Sequence, residues 1–575
     1  MGAKPLLQEE VPVTEAIVRV LEEAGVEMVF GIPGGNTIRI YKALYDHQST
    51  VRCVLVRQET LAGIMAEVYG RLTGKLSVAM GQGAFMLSNA LIGTVEAHAG
   101  SAPMLLFTDF SDGAPFSHHA PYQSGTGDYR TWDARSAFGA VTKATFCPQG
   151  PAETVQSTQL AIKHAMTGER GPVAMVFSST ALGGTVGPES VPRLYSTESY
   201  MPTPPPPADP ALVEAAARAL LSADSPTIIA GNGVRVSQAY DQLQALAELI
   251  AAPVATTAGG KGVFAENHDL ALGVFGNFGQ RVANNTIGRA DTILAVGTKL
   301  APSDTIGQNP QLLDPTRQTF IQMDIEPKNA SWTFPCDHVV IGDAAVSLSQ
   351  LIDCIRDLGA PAGSVLEARM GRLIADRKDY GFFDDPESSS EVTPLYPQRI
   401  ISEIRSGIHD DAIVTCDAGE NRLFMTHWFQ TLKAGTLLMP ASTGAMGYAV
   451  PAALAAKLAF PDRRVVAVNG DGGFPMAMNG LITACEEKIP ITTIIFNNSR
   501  LGWVGNVMGE NRISSDFPDV NYADIAKTMG CRGYRIEGPG ELEKALVETE
   551  DSDVPVVLDV VTSTKFTFRD VSSQF

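Results

Sequence analysis

Short apolar runs alternate with stretches whose apolar residues recur every three to four positions, and this alternation persists from end to end. In the first third, VTEAIVRVLEEAG at 13–25 has helical spacing. VEMVFGIPGG at 26–35 then predicts a buried strand ending in a glycine turn, and VRCVLV, LSVAMG, PMLLFT and VAMVFS predict further buried strands. The middle repeats the scheme with PTIIAGNGV, APVATTA, TILAVG and TFIQMDIEP around helices such as QAYDQLQALAELIA, and the last third with AIVTCDAG, RRVVAVNGDGG, ITTIIFNN and VPVVLDVV. Strands that are apolar on both faces and separated by helices imply parallel sheets, so the fold class is α/β: three doubly wound parallel-sheet domains.

Two breaks divide the pattern. PTPPPPADP at 202–210 is too stiff and too poor in donors for a helix or a central strand, and reads as a semi-rigid linker. The charged, turn-rich, aperiodic stretch around 376–396 reads as a second connection. The expected domains are therefore 1–190, 205–360 and 390–575. A length of 575 residues is right for three domains of about 100 to 200 residues each. The net charge of −20 disfavours nonspecific binding to nucleic acid or anionic membrane. Seven scattered cysteines without metal-ligand spacing point to a reduced, cytoplasmic setting. The N-terminus shows neither a signal-peptide core nor a myristoylation signal, and no apolar run approaches a membrane span of roughly 20 residues. GNG at 231–233 lacks the third glycine of a dinucleotide fingerprint and reads first as a structural turn.

The segment GDGGFPMAMNGLITACEEKIPITTIIFNN at 470–498 resembles the motif of thiamine diphosphate (ThDP) enzymes, which begins GDG and ends NN. The chemistry behind it is direct, because a magnesium ion holding a diphosphate needs hard oxygen ligands. Asp471 offers a carboxylate, Asn498, 27 positions later, an amide oxygen, and Arg500 a main-chain carbonyl. Gly472 and Gly473 permit close backbone approach to phosphate, and the following helix turns its N-terminal amides toward the anion. The plain alternative is an ordinary βαβ unit, with GDG a tight turn and NN a strand-end turn.

Resemblance to the acetolactate synthase and pyruvate decarboxylase branch of this family extends over essentially the whole chain, through GIPGG at 31–35, GQGAFMLSNAL at 81–91, ERGPVAMVF at 169–177 and GKGVFAENHDLALG at 260–273. It implies a pyrimidine-binding, middle and diphosphate-binding domain order, ThDP and Mg2+ as cofactors, and a homo-dimer or homo-tetramer with the active site between subunits. LVRQETLAGIMAEVYGRLTG matches the segment whose glutamate pairs with N1′ of the aminopyrimidine, which makes Glu59 the catalytic acid; a helix N-terminal glutamate facing the dipole is the alternative. PASTGAMGYAVPAA matches the loop that bends the cofactor, with Met446 as the wedge and Gly444 offering its carbonyl; Met446 as core filler is the alternative. IVTCDAGENRLFM makes Gly419 and Asn421 diphosphate contacts and leaves Glu420 without a role.

The departures narrow the activity. GNFGQ at 276–280 and GTKLAPSDT at 297–305 stand where true acetolactate synthases carry their FAD segments, so FAD is doubtful. Val507 replaces a tryptophan, Trp503 a methionine, and Phe110 a polar residue. His118 and His119 resemble the paired loop histidines that relay protons in pyruvate decarboxylases, with a longer spacing to the following Gly-Asp; two loop histidines without a role are the alternative. The alignment implies a substrate pocket of Gln82, Phe85, Met86, Phe110, Gln123, Met476, Trp503 and Val504, whose apolar bulk favours an aliphatic or aromatic 2-keto acid, acyloin or diketone. The expectation is a ThDP- and Mg-dependent C–C lyase or carboligase. A non-oxidative 2-keto acid decarboxylase, a diketone C–C hydrolase and a non-catalytic binding subunit are the rivals.

Overall fold

The computed structural model describes residues 4–111, 123–128, 130–201 and 205–572. The chain divides into two compact units, one formed by residues 1–204 with 454–459 and the other by 205–453 with 460–575. Among the described residues no helix is long and apolar enough to cross a membrane.

In the first unit, a two-residue antiparallel pair joins β1 (Val11–Pro12) to β8 (Thr185–Val186). The main sheet contains β2 (Met28–Gly31), β3 (Arg52–Leu55), β4 (Ser77–Met80), β5 (Met104–Asp109), β6 (Ala144–Phe146) and β7 (Pro172–Phe177). Its order is β3-β2-β4-β5-β7-β6 and every pairing is parallel. Strands β4, β5 and β7 are buried along their whole length, which is why they read as unbroken apolar runs. The helix Glu59–Thr73 is buried on nearly every side and stops where Gly74 turns left-handed at φ 69°. It packs so closely on the helix Leu91–Ala99 that a Cβ at Gly93 would run into the backbone of Gly63. Within the first of these helices the fully buried Arg71 guanidinium meets Glu67 at 3.2 Å, and it reaches Glu96 of the second at 4.0 Å.

The second unit holds two sheets. The strands of the first are β9 (Pro226–Ala230), β10 (Val254–Thr256), β11 (Ala271–Val274), β12 (Thr292–Val296), β13 (Thr319–Asp324) and β14 (His338–Ile341), in the order β11-β10-β9-β12-β13-β14. The other contains β15 (Ile413–Cys416), β16 (Leu437–Leu438), β17 (Val465–Gly470), β18 (Thr492–Asn497), β19 (Arg532–Ile536) and β20 (Val556–Val561), in the order β16-β15-β17-β18-β20-β19. All pairings in both are parallel. The chain is thus α/β with three doubly wound sheets.

Buried polar groups join these last two sheets into one body. Arg235 is fully buried and donates to the carbonyls of Lys261 at 2.7 Å and Leu437 at 2.9 Å. Lys261 Nζ meets Glu266 Oε1 at 2.6 Å, and Glu266 Oε2 accepts from the Thr431 amide at 2.7 Å. Stripping one charge from such a pair leaves the other uncompensated in a dry interior, so these groups fix the docking of the two sheets.

The expected connection at 376–396 is shorter than its composition suggests, because the helix Gly363–Tyr380 runs into it before Gly381 ends the helix at φ 77°. Arg377 anchors that last turn by donating to the carbonyls of His268 and Ala271. The GNG turn is structural: a Cβ at Gly231 or Gly233 would collide with the backbone at Gly297, so protein fills the crevice between β9 and β12.

Candidate active site

In the sheet β15–β20 the strand order reverses between β15 and β17, and the loops leaving their C-terminal ends part around a crevice. A cavity of about 430 Å3, including its open mouth, lies there. It is lined by Gly419, Glu420 and Asn421 after β15, by Met446, by Asp471, Gly472 and Gly473 after β17, and by Asn498 and Arg500 after β18. Residues separated by up to 81 positions in sequence, from Gly419 to Arg500, are thereby brought to one sheet edge.

Asp471 is 2 % exposed. Its Oδ2 accepts the amides of Asn498 at 2.8 Å and Ser499 at 2.5 Å, so the two ends of the motif are bonded directly. Burial pushes its carboxyl up to about 7, against the opposing pull of the surrounding amides. Asn498 Oδ1 is buried and has no hydrogen-bond partner among the described residues. A buried amide oxygen without a donor is costly unless something electropositive completes it. One carboxylate, one orphaned amide oxygen and a main-chain carbonyl form a hard donor set suited to Mg2+. Among the described residues no group of three or more His, Cys, Asp or Glu side chains could hold a metal.

The phosphate side of the cavity is made of backbone. A Cβ at Gly473 would strike the Asp417 carboxylate, which three amides hold in place, whereas one at Gly472 would have to displace the Leu501 Cδ2 methyl. Gly419 takes φ 106° immediately before the helix Glu420–Trp428, whose N-terminal residues line the cavity. The residues therefore fit a magnesium-bound diphosphate, with Asp471, Asn498 and Arg500 at the metal and Gly419, Asn421, Gly472 and Gly473 around the phosphates.

The fully buried Asp417 has no assigned role in the sequence reading, yet it organises the cofactor loop. Its Oδ2 accepts the Gly447 amide at 3.0 Å, and its Oδ1 accepts those of Ala418 at 2.7 Å and Tyr448 at 3.3 Å. Burial raises this carboxyl to about 7, while the same three amides lower it. The loop thus tethered carries Gly444, at φ 62°, and Met446, which is 37 % exposed and has its Cε close to Gly472. An apolar side chain left partly open at the cavity mouth suits a wedge better than core filler. The carboxylate following a buried strand was visible in sequence, but its partners lie 30 and 31 positions away.

Glu420 also gains a place. Its Oε1 accepts from Asn506 Nδ2 at 2.8 Å and from the Phe568 amide at 2.9 Å, and burial raises its carboxyl. It fastens the helix Gly502–Met508 and the C-terminal segment beside the cavity, where Phe568 stacks on Trp503 with ring centroids 6.0 Å apart.

Glu59 belongs to the first unit, at the first position of the helix Glu59–Thr73, and is 9 % exposed. Its Oε2 accepts from Asn89 Nδ2 at 2.8 Å. Nearby, Gln82 Nε2 donates to Gln123 Oε1 at 2.7 Å, and Phe110 is bonded through its backbone to Phe177 and Gly125. Phe85, Met476, Trp503 and Val504 are exposed apolar side chains. Met86 differs from the other pocket candidates: it is fully buried against Gly81, because the helix Gly83–Asn89 turns that side chain into the core. His118 and His119 lie outside the described residues.

Comparison with known proteins agrees with this geometry. Residues 12–124 match the thiamine pyrophosphate enzyme N-terminal TPP binding domain, 213–351 the central domain, and 417–560 the C-terminal TPP binding domain. The probable acetolactate synthase large subunit of Methanococcus aeolicus is 31% identical over 561 residues, covering 95% of this chain and 91% of that protein. The corresponding protein of Methanocaldococcus jannaschii is 30% identical over 563 residues, with the same two coverages of 95% and 91%. The acetolactate synthase large subunit of Corynebacterium glutamicum is 29% identical over 560 residues, covering 95% of this chain and 86% of that protein. With a diphosphate-shaped crevice in its last sheet and all three domain types in order, the chain belongs to the thiamine pyrophosphate enzyme family, in its acetolactate synthase-like branch.

Proposed function

We propose that this protein is a ThDP- and Mg2+-dependent carboligase that takes a 2-keto acid as donor and joins its acyl fragment to a second carbonyl compound. The observation that carries the reading is the buried, unpartnered Oδ1 of Asn498 beside Asp471 in the crevice between β15 and β17. Similarity to proteins named acetolactate synthase over nearly the full chain supports carboligation.

When bound, ThDP supplies a nucleophilic carbon and an electron sink for cleavage of the bond beside the donor carbonyl. The work of this chain is to hold and protonate. Asp471, Asn498 and the Arg500 carbonyl take the metal, and the amides around Gly472 and Gly473 meet the phosphates. Asp417 fixes the loop from which Met446 enforces the bend and Gly444 offers its carbonyl. Glu59 presents a carboxylic acid to the pyrimidine ring nitrogen. Exposed Phe85, Met476, Trp503 and Val504 give the donor an apolar surround, in keeping with an uncharged aliphatic or aromatic side chain. The assembly is a homo-dimer or homo-tetramer whose subunits complete each other's sites, in a cytoplasmic setting, and the segments at 276–280 and 297–305 make FAD doubtful.

The test is product analysis by NMR after incubation with ThDP, Mg2+ and pyruvate, alone and with an aldehyde acceptor, beside Glu59→Gln. Acetolactate or a mixed acyloin, lost in the variant, is the expected result. Acetaldehyde alone would reassign the protein as a decarboxylase, and turnover unaffected by the substitution would remove Glu59 from the reading.

A further inference from the structure

Resting on the reading of Glu59 as the acid that faces the pyrimidine, we infer that Asn89 is a positioning residue that decides which oxygen of Glu59 carries the proton. Two bonds join the end of the helix Gly83–Asn89 to the start of the helix Glu59–Thr73. Thr60 Oγ1 donates to the Asn89 carbonyl at 2.9 Å, and Asn89 Nδ2 donates to Glu59 Oε2 at 2.8 Å. The first bond fixes the backbone of Asn89; the second acts on the carboxyl. Ser88 Oγ lies 3.3 Å from Asn89 Oδ1 and 3.5 Å from the Phe85 carbonyl; its one proton turned to the nearer acceptor gives the amide oxygen a partner and leaves the NH2 group facing Glu59.

An NH2 group only donates. The oxygen it meets must accept, and the carbonyl oxygen of a carboxylic acid accepts better than its hydroxyl, so the bond favours the acid form of Glu59 with Oε2 as carbonyl oxygen and the proton on Oε1. Among the described residues no hydrogen bond goes to Oε1, which leaves the proton-bearing oxygen for a ligand. Without Asn89 the carboxyl rotates, and either oxygen can carry the proton in either direction. Asn89 therefore supplies orientation, and its own atoms touch neither cofactor nor substrate.

The experiment compares equilibrium binding of ThDP with that of its analogue carrying CH in place of N1′, by tryptophan fluorescence of the full chain with Mg2+. The unmodified protein prefers ThDP because only ThDP accepts the Glu59 proton. In Asn89→Leu the preference falls about tenfold, the scale expected for a supporting partner of a site residue. Asn89→Asp, which replaces the donor by an acceptor of the same shape, lowers it as well and serves if the leucine variant does not fold. Thr60→Val loosens the same helix junction without touching the carboxyl and keeps the preference. The rate of deuterium exchange at C2 of bound ThDP follows the same ranking. An unchanged preference in the Asn89 variants, with the preference lost in Glu59→Ala, overturns the role of Asn89 alone. A preference that survives Glu59→Ala overturns the reading of Glu59 on which the inference rests. An equal loss in Thr60→Val shows that the junction, and not the amide, is responsible, and also overturns it.

Discussion

The sheet β2–β7 and the sheet β15–β20 have the same strand order, second-first-third-fourth-sixth-fifth, and both are wholly parallel. In each the strand order reverses between the first and third strands, yet the two switch points are furnished differently. After the third strand, one carries Gly81-Gln82-Gly83 and the other Gly470-Asp471-Gly472-Gly473. The fourth strand ends in Asp109 in one sheet and in Asn497 followed by Asn498 in the other. Asp109 is fully buried, accepts the amides of Asn36 and Gly83, and so ties together the loops after β2 and β4. Gln82 is occupied by Gln123. In the other sheet Asp417 takes over the tying of loops, and Asn498 keeps an oxygen without a protein partner. Shared topology sets the switch point; on the proposed reading, the chemistry of two strand ends decides which of the two sheets takes the cation. The middle sheet has the order third-second-first-fourth-fifth-sixth, and its crevice is packed shut at Gly231, Gly233 and Gly297.

The comparison is broken most forcefully at Asp471. Asp471→Ala is expected to abolish Mg2+-dependent retention of ThDP and lower turnover by about 100-fold or more, measured by calorimetry and product formation. The reciprocal change, Gln82→Asp, is expected to create no Mg2+ binding, because Asp109 already spends its oxygens on Asn36 and Gly83. A new calorimetric Mg2+ signal from that variant would show that topology alone suffices.

Next in size is the ion pair that joins the middle sheet to the sheet β15–β20. Lys261→Met leaves Glu266 buried and uncompensated, and is expected to cost about 3–5 kcal/mol in denaturant unfolding. Lys261→Met combined with Glu266→Leu is expected to recover much of that loss.

Asp417→Ala orphans the buried amides of Gly447 and Tyr448, at about 1–3 kcal/mol for each one left dry, and weakens ThDP binding. Asp109→Ala is expected to destabilise the protein comparably while leaving Mg2+ affinity intact, which separates the two carboxylates. Asp417 also carries a pH signature. Its folded value near 7 lies above the unfolded value of about 3.9, so the folded state binds more protons between those limits. Its contribution to stability is most favourable below about pH 4, declines as pH rises, and levels off above 7. Melting temperatures of the metal-free protein from pH 4.5 to 8 are expected to fall less steeply in Asp417→Asn. The smallest expected effect is Met446→Leu, a volume-conserving change costing under about 1.5 kcal/mol and shifting turnover only a few-fold.

Most of this architecture was legible because the strands that hold each sheet together are buried on both faces. Those not read from the sequence are the edge strands β6, β11, β14, β16 and β19 and the two-residue pair β1 and β8, all of them short or partly open to solvent and lacking the long apolar run that marks a core strand. The metal motif was legible because both its ends lie on one βαβ unit. Asp417, Asp109 and Asn89 were not, since what each does depends on an amide or a carboxyl some 30 or more positions away, and only folding brings those partners together. Glu420 was noticed but could not be placed, because the Asn506 and Phe568 groups it meets lie 86 and 148 positions downstream.

Asp417 grips the loop before Tyr448 entirely by main-chain amides. The grip is therefore indifferent to which side chains the loop displays. Exchange of Ala445 or Met446 leaves this tether uncut, whereas Tyr448 is fully buried and Gly444 and Gly447, with φ of 62° and 80°, cannot readily be exchanged. For an engineer this separates the frame of the loop from the side chain at 446, so the size of that one side chain can be varied while the backbone path stays inherited.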